Sequence, residues 1–560
     1  MDIRRTILWL IFAFSILLLW NNWQTHQGRP SIFGTTPAAD TAAQSSSTEN
    51  ADSARDPSVP QVEQASRPTR DVPQEAAAQP ESELITVHTE VFDLTFDSTG
   101  AQLISARLLR YDAPGDDDGP MPLLNRDESS VYVAQSGLIS SDAGHTLPNH
   151  LSDYHFVEEK ENPQTGTIEV IFATTTDTVK VIKTYELKKD SYDIAVRYDI
   201  ENISDAPIHP SIYYQLERDG NSPPDSSKLY RTFNGPVVYS DQKEFQKVSF
   251  SDLDKDKADY VREADNGWIG FVQHYFASAW VPPQGIARTN QVLKVGENRY
   301  VARSIEAVGT IEPGQQKEIT AHLWVGPQDQ KAMAALADGL DLVVDYGWLT
   351  IISKPLFTIL TWIHSLIGNW GWSIVMLTVL IKIIFYPLSA ASYRSMARMK
   401  QVTPRMQALR EQYGDDRAKL NQAMMELYRN EKINPLGGCL PMLVQIPVFI
   451  ALYWVLLGSV EMRGAPWILW IKNLATPDPY FILPAIMMAT MFLQIKLNPT
   501  PPDPMQARVM MIMPLVFGGM MFFFPAGLVL YWVVNNALSI AQQQLINHRI
   551  KKAEEAKKIG

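Results

Sequence analysis

Lys382 is the side chain whose type and position ask for chemistry, because its amine is set inside the apolar run Trp370–Leu388. About 20 apolar residues cross a bilayer core, and Lys382 stands about 9 Å of helical rise from the Leu388 end. A lysine at mid-span costs about 2.5–3.5 kcal/mol on insertion scales. It must face water or protein, or else reach along its stem to the nearer interface. Thr378 lies one turn earlier on the same face. In the last apolar stretch, Tyr531, Asn535 and Gln542 are spaced by four and seven and share one helical face, and Gln445 sits within another run. These groups could wall a hydrophilic cavity, or simply hydrogen-bond between helices. No acidic residue lies within the surrounding runs. An unpaired cation favours water, which points to a wet groove.

Other chemistry is poorly supported. His145, His150 and His155 recur every five residues, a spacing that matches neither a helical nor a strand face, so they read as surface loop histidines rather than metal ligands. Asp116, Asp117 and Asp118 read as a solvated turn. There is no phosphate loop, G-x-S-x-G or H-E-x-x-H pattern. No enzyme activity, cofactor or metal is expected.

The elements that would position Lys382 follow from how charge is sorted. Between Gln24 and Asp345 there are 27 Lys and Arg against 50 Asp and Glu, whereas the rest of the chain has 22 against 11. A membrane sorts charge in this way, with basic residues held in cytoplasmic loops. Arg4 and Arg5 precede the apolar run Ile7–Trp20 with no small-x-small cleavage pattern after it, so residues 1–23 read as an uncleaved anchor. Residues 24–83 are poor in large apolar residues and read as a disordered tether. Over residues 84–345 the pattern turns to period two. Examples are Val179, Val181, Tyr185 and Leu187, then Tyr192, Ile194, Val196, Tyr198 and Ile200, with Lys188–Ser191 as the turn between them. This predicts a large exported antiparallel β domain that binds or scaffolds. The single cysteine, Cys439, permits no internal disulfide, so that domain must fold on core burial alone.

Residues 346–368 read as an amphipathic helix in the outer interface, and residues 369–390 as the second span. Residues 391–432 carry nine basic residues against five acidic ones and two helical stripes. Met399, Met406, Leu409 and Tyr413 form one; Leu420, Met424, Leu427 and Tyr428 form the other, with Gly414-Asp415-Asp416 as the break. Two antiparallel cytoplasmic helices follow. The stripes pack on each other, or Met396, Met399, Met406, Met424 and Met425 offer adaptable apolar surface to varied hydrophobic segments. Further spans are read at residues 433–460 and 479–495, and two more within residues 509–548, a stretch with no charged residue in which Pro525-Ala526-Gly527 is the outer turn. Residues 461–478 form a periplasmic loop, 496–508 a cytoplasmic loop and 549–560 a basic cytoplasmic tail. The result is a polytopic α-helical membrane protein of six spans with both termini in the cytoplasm.

The segments NPLGGCLPMLVQIPVFIALYWVL (Asn434–Leu456), DPMQARVMMIMP (Asp503–Pro514) and FPAGLVLYW (Phe524–Trp532) resemble those of the YidC/Oxa/Alb membrane-protein insertases. The first anchor and the β domain resemble the Gram-negative branch of that family. The resemblance implies a five-span insertase core with a groove open to cytoplasm and lipid, and an exported β-supersandwich in the periplasm of a bacterial inner-membrane protein. It aligns Lys382 with a groove cation that is usually arginine, a change that loses the planar fork. It aligns Thr378, Tyr531 and Trp532 with groove-facing or substrate-contacting positions, and Phe449 with an apolar substrate contact. It also implies nascent membrane proteins as clients, and the Sec translocon, the ribosome and the lipid bilayer as partners, with no role for DNA. A transporter or channel with an anion site at Lys382 is the alternative, although no internal repeat of broken spans is present. A third reading is an envelope scaffold whose β domain is the active part.

Overall fold

A computed structural model of the chain describes residues 57–60, 82–114, 119–127, 129–140, 146–223, 232–413, 416–431, 440–497 and 504–559. The anchor at Met1–Trp23, most of the tether, His145, Asp116–Asp118, Cys439 and the proline-rich loop after Leu497 lie outside them. Contacts divide the chain into two compact units that meet at Val344 and Asp345.

In the first unit, alternation of apolar and polar residues produces two nine-stranded sheets, every pair of neighbours antiparallel. The first sheet runs in spatial order through Leu84–His88, Phe92–Asp97, Gln102–Asp112, Pro120–Arg126, Val131–Ser140, Pro210–Asp219, Arg299–Ala307, Arg288–Gly296 and Glu263–Ala264. The second runs through Glu244–Lys247, Gly235–Ser240, Trp268–Val272, Phe276–Val281, Gln316–Pro327, Asp193–Asn202, Val179–Lys188, Thr167–Thr175 and His155–Asn162. The expected hairpin is there: Val179 pairs with Asn202, Leu187 with Ile194, and Ser191 N–H donates to the Lys188 carbonyl. Val181, Tyr185, Val196, Tyr198, Trp280 and Trp324 are buried in the domain core. Apolar area of this kind, at about 25 cal/mol per Å² removed from water, holds the domain together.

Two expectations about this unit need correction. His150 is not a surface histidine. It is buried, and its ring nitrogen Nδ1 shares a 2.5 Å hydrogen bond with the Tyr213 hydroxyl. His155 does lie exposed, at the start of a strand rather than in a loop. Within the stretch read as a disordered tether, Ser58 is buried against this domain. Composition averages over the segment and cannot register one residue that meets a matching site.

The second unit is helical, with α1 at Thr350–Ile367, α2 at Trp370–Ile384, α3 at Tyr386–Tyr413, α4 at Arg417–Asn430, α5 at Leu440–Gly458, α6 at Ile482–Leu497, α7 at Pro504–Met521 and α8 at Ala526–Ile559. Among the described residues α1 alone is long and apolar enough by itself to cross a membrane. The pair α2 and α3 passes the same test jointly but bends by 66°, and the apolar parts of α5, α6 and α7 are shorter. The bend replaces the continuous helix expected through Leu388. Pro387 has no N–H to give the Ile383 carbonyl and its ring would collide with it, so the ladder ends at Phe385, whose own N–H turns back to Ile381 and Ile383. The turn between the last two apolar helices falls at residues 522–525, and Ala526 and Gly527 already belong to α8.

At the N-terminal end of α2, Asn369 caps the helix through the Trp372 N–H and donates to the Pro466 carbonyl. Trp467 packs so closely over Gly371 that an added Cβ would lie 2.2 Å from its ring. Ala526 and Gly527 N–H groups bond to the Thr476 and Leu474 carbonyls, which ties the start of α8 to the same loop. The buried Asp478 fixes that loop by accepting from Trp470 Nε1 and from the N–H groups of Tyr480 and Leu483.

Candidate functional site

The break at Phe385 places Lys382 in the last turn of α2, where unpaired carbonyls carry partial negative charge and favour a cation. Its side chain is 6% exposed. Lys382 Nζ donates to Ser539 Oγ at 2.8 Å, and that hydroxyl spends its own hydrogen on the Asn535 carbonyl at 2.7 Å, so its lone pairs are left for the ammonium. The Gln542 amide reaches the Lys382 carbonyl at 3.4 Å and closes the helix end. An ammonium has three N–H donors; one serves Ser539, and no Asp or Glu stands in α2, α5, α6 or α7.

Gln445 on α5 donates to Asn535 at 2.5 Å. Ile381, Lys382, Phe385, Leu388, Ser389 and Gln445 line a small cleft, part of it open to the outside. The face of α8 inferred from spacing is therefore one polar seam, Tyr531–Asn535–Ser539–Gln542, with Lys382 and Gln445 against it.

Thr378 is buried, and its hydroxyl donates to the Ile374 carbonyl of its own helix at 2.7 Å. Phe449 lies 4.6 Å from Trp532 and 6.0 Å from Tyr531 between ring centroids, and Phe517 adds a contact at 5.2 Å to Trp532. Three positions read as substrate contacts or groove wall thus form one aromatic cluster. In the hairpin, Val402 and Met406 are buried, with Met399, Met424, Leu427 and Tyr428 packed on them. The two stripes cover each other. Met396 is half-buried beside Ser392, whereas Met425 is 67% exposed.

Spacing did not bring out Ser539, Ser389 or Phe385. Ser539 is four residues after Asn535 and completes its stripe, but a lone serine in an apolar helix is unremarkable by composition. Ser389 and Phe385 enter the cleft only because the helix breaks where it does.

Residues 84–359 match the family model described as YidC periplasmic domain, and residues 362–554 that described as 60Kd inner membrane protein. A relative from Bordetella petrii named membrane protein insertase YidC is 62% identical over 99% of this chain and 99% of its own length. The chain belongs to the YidC family. Relatives of the same name from Paraburkholderia phytofirmans, over 98% of both chains, and from Ralstonia nicotianae, over 100% of both, are each 49% identical. YidC proteins are inner-membrane proteins with a periplasmic domain; the two sheets lie within the first matched region, the helices from α2 onward lie almost wholly within the second, and α1 spans the boundary between them.

Proposed function

We propose that this chain is a membrane protein insertase in which the seam around Lys382 receives the polar flank of a nascent hydrophobic segment. The observation that carries this reading is a buried ammonium lining a small, partly open cleft and held by a serine hydroxyl rather than a carboxylate. Among the described residues its other two N–H donors meet no acceptor, which leaves them for water or for an acidic client residue. The cytoplasmic hairpin meets the segment first, the cleft draws in its flank, and the segment leaves sideways into lipid past Phe449 and Trp532. The substrate's own apolar burial supplies the drive. The groove shortens the dry path that polar backbone and side chains must cross. The membrane potential contributes about 2.3 kcal/mol per acidic charge moved outward per 100 mV.

The same reading holds six spans with both termini in the cytoplasm, α1 lying in the outer interface, and work alone or beside the Sec translocon. The five basic residues of Arg549–Lys558 are suited to electrostatic contact with ribosomal RNA.

Photo-crosslinking probes at Ser389, Phe449 and Trp532, with Ile383, exposed on the other side of α2 from the buried Lys382, as the reference, test it against a stalled nascent membrane protein. Crosslinks concentrated at the first three sites support the reading. Equal yields at all four would overturn it.

A further inference from the structure

Across the first sheet of the β domain runs a ladder of polar side chains at directly facing positions. Gln135 pairs with Gln215, Gln215 with Arg303 and Arg303 with Gln291. Gln102, Gln135, Gln215 and Arg303 are all buried. Their hydrogen bonds run in one sense: Arg303 Nη1 donates to Gln215, Gln215 to Gln135 and Gln135 to Gln102, while Arg303 Nε donates to Gln291. Every amide is thus oriented by the guanidinium. A buried polar network is stabilising only when all its members are satisfied, yet among the described residues no carboxylate pairs with Arg303. Burial lowers its pKa to about 10.

What meets Arg303 is residue 58. Arg303 Nη1 donates to the Ser58 carbonyl at 3.0 Å, and the Ser58 hydroxyl lies 2.9 Å from His150 Nε2. His150 is itself held by the Tyr213 hydroxyl, which also accepts from the His150 N–H at 3.1 Å. Main chain and side chain of one serine are therefore read by two buried groups, Arg303 in the sheet and His150 held against it by Tyr213. Pro57 opens the turn and Pro60 is buried, and prolines restrict the free chain so that less entropy is lost on docking.

We infer that the His150–Arg303 pocket is a peptide-recognition site, and that its occupant is the Pro57-Ser58-Val59-Pro60 turn of this same chain. The tether is then fastened to the β domain at a second point besides its covalent junction. A segment of the same chemistry, a small hydroxyl residue between prolines, competes for the pocket. This inference is independent of the reading of the Lys382 cleft.

The test uses the full-length protein in nanodiscs with Cys439→Ser. A thiol at Ser58→Cys is expected to react with a membrane-impermeant maleimide at least tenfold more slowly than one at exposed Asp205→Cys, and Arg303→Met or His150→Ala is expected to abolish most of that protection. Equal rates at the two positions, or protection unchanged in both pocket variants, would overturn the inference. Near-ultraviolet circular dichroism checks that the pocket variants stay folded. If either has lost the domain, a chain lacking residues 57–60 decides instead. A peptide of residues 54–63 is expected to bind it below about 1 mM, the effective concentration of a short tether, and the same peptide with Ser58→Leu at least tenfold more weakly. Failure of the first peptide to bind, or equal binding of both, counts against the site.

Discussion

At Lys382 the decisive quantity is the number of donors without an acceptor among the described residues. Ser539 supplies one acceptor, and its hydroxyl hydrogen is already used on Asn535. Lys382→Leu removes the charge and is expected to slow insertion of clients with acidic flanks at least tenfold, about 1.4 kcal/mol, with a smaller effect on neutral flanks. Protease protection in proteoliposomes measures both. Lys382→Arg should retain most activity, because the charge stays. A second buried amine, Lys183 in the β domain, is fully enclosed, donates to the Gly100 carbonyl at 3.2 Å and lies over the Tyr185 and Tyr198 rings. Burial pushes its pKa well below the ordinary lysine value of 10.5. Between the folded pKa and 10.5 the unfolded chain therefore binds a proton that the folded one does not. Stability from this group rises with pH up to 10.5 and falls as pH drops towards the folded pKa, by up to about 1.4 kcal/mol per unit. Lys183→Met should remove this slope when urea unfolding of parent and variant is compared between pH 7 and 10.

At the scale of elements, the hairpin of α3 and α4 is a small core of its own. Met406 is 4% exposed at its centre, and Met406→Asp places a carboxylate there without a partner. Such burial costs several kcal/mol, so the variant should lose the hairpin's protection from proteolysis and with it the capture of nascent segments. Met425→Asp, on the exposed side, should leave the hairpin intact. This separates a structural methionine from one that meets substrate. The stripes were legible because helical period and packing coincide. The break at Phe385 was not: a proline acts on the carbonyl four residues back, and whether the helix kinks or bends gently there is decided by what packs around it.

For the molecule as a whole, the two units are each compact, and the single cysteine leaves both to stand on burial and hydrogen bonding. A chain lacking Leu84–Val325 should therefore still fold its helical unit and retain most insertase activity in the proteoliposome assay. Loss of activity with a folded helical unit would move the function to the β domain.

The sequence by itself determined the antiparallel β domain, the helical hairpin and the polar face of the last helix, because strand and helix periods are local properties of the chain. It also singled out Lys382, since a charge in an apolar run stands out without any fold. Only the tertiary structure decided that Lys382 leans on Ser539, that Thr378 bonds within its own helix, that Phe449 and Trp532 form one cluster, and that His150 is buried against residue 58. All but the Thr378 bond depend on which residues distant in sequence come into contact, and no spacing along one chain encodes that; Thr378 turns to its own helix because of what packs around it.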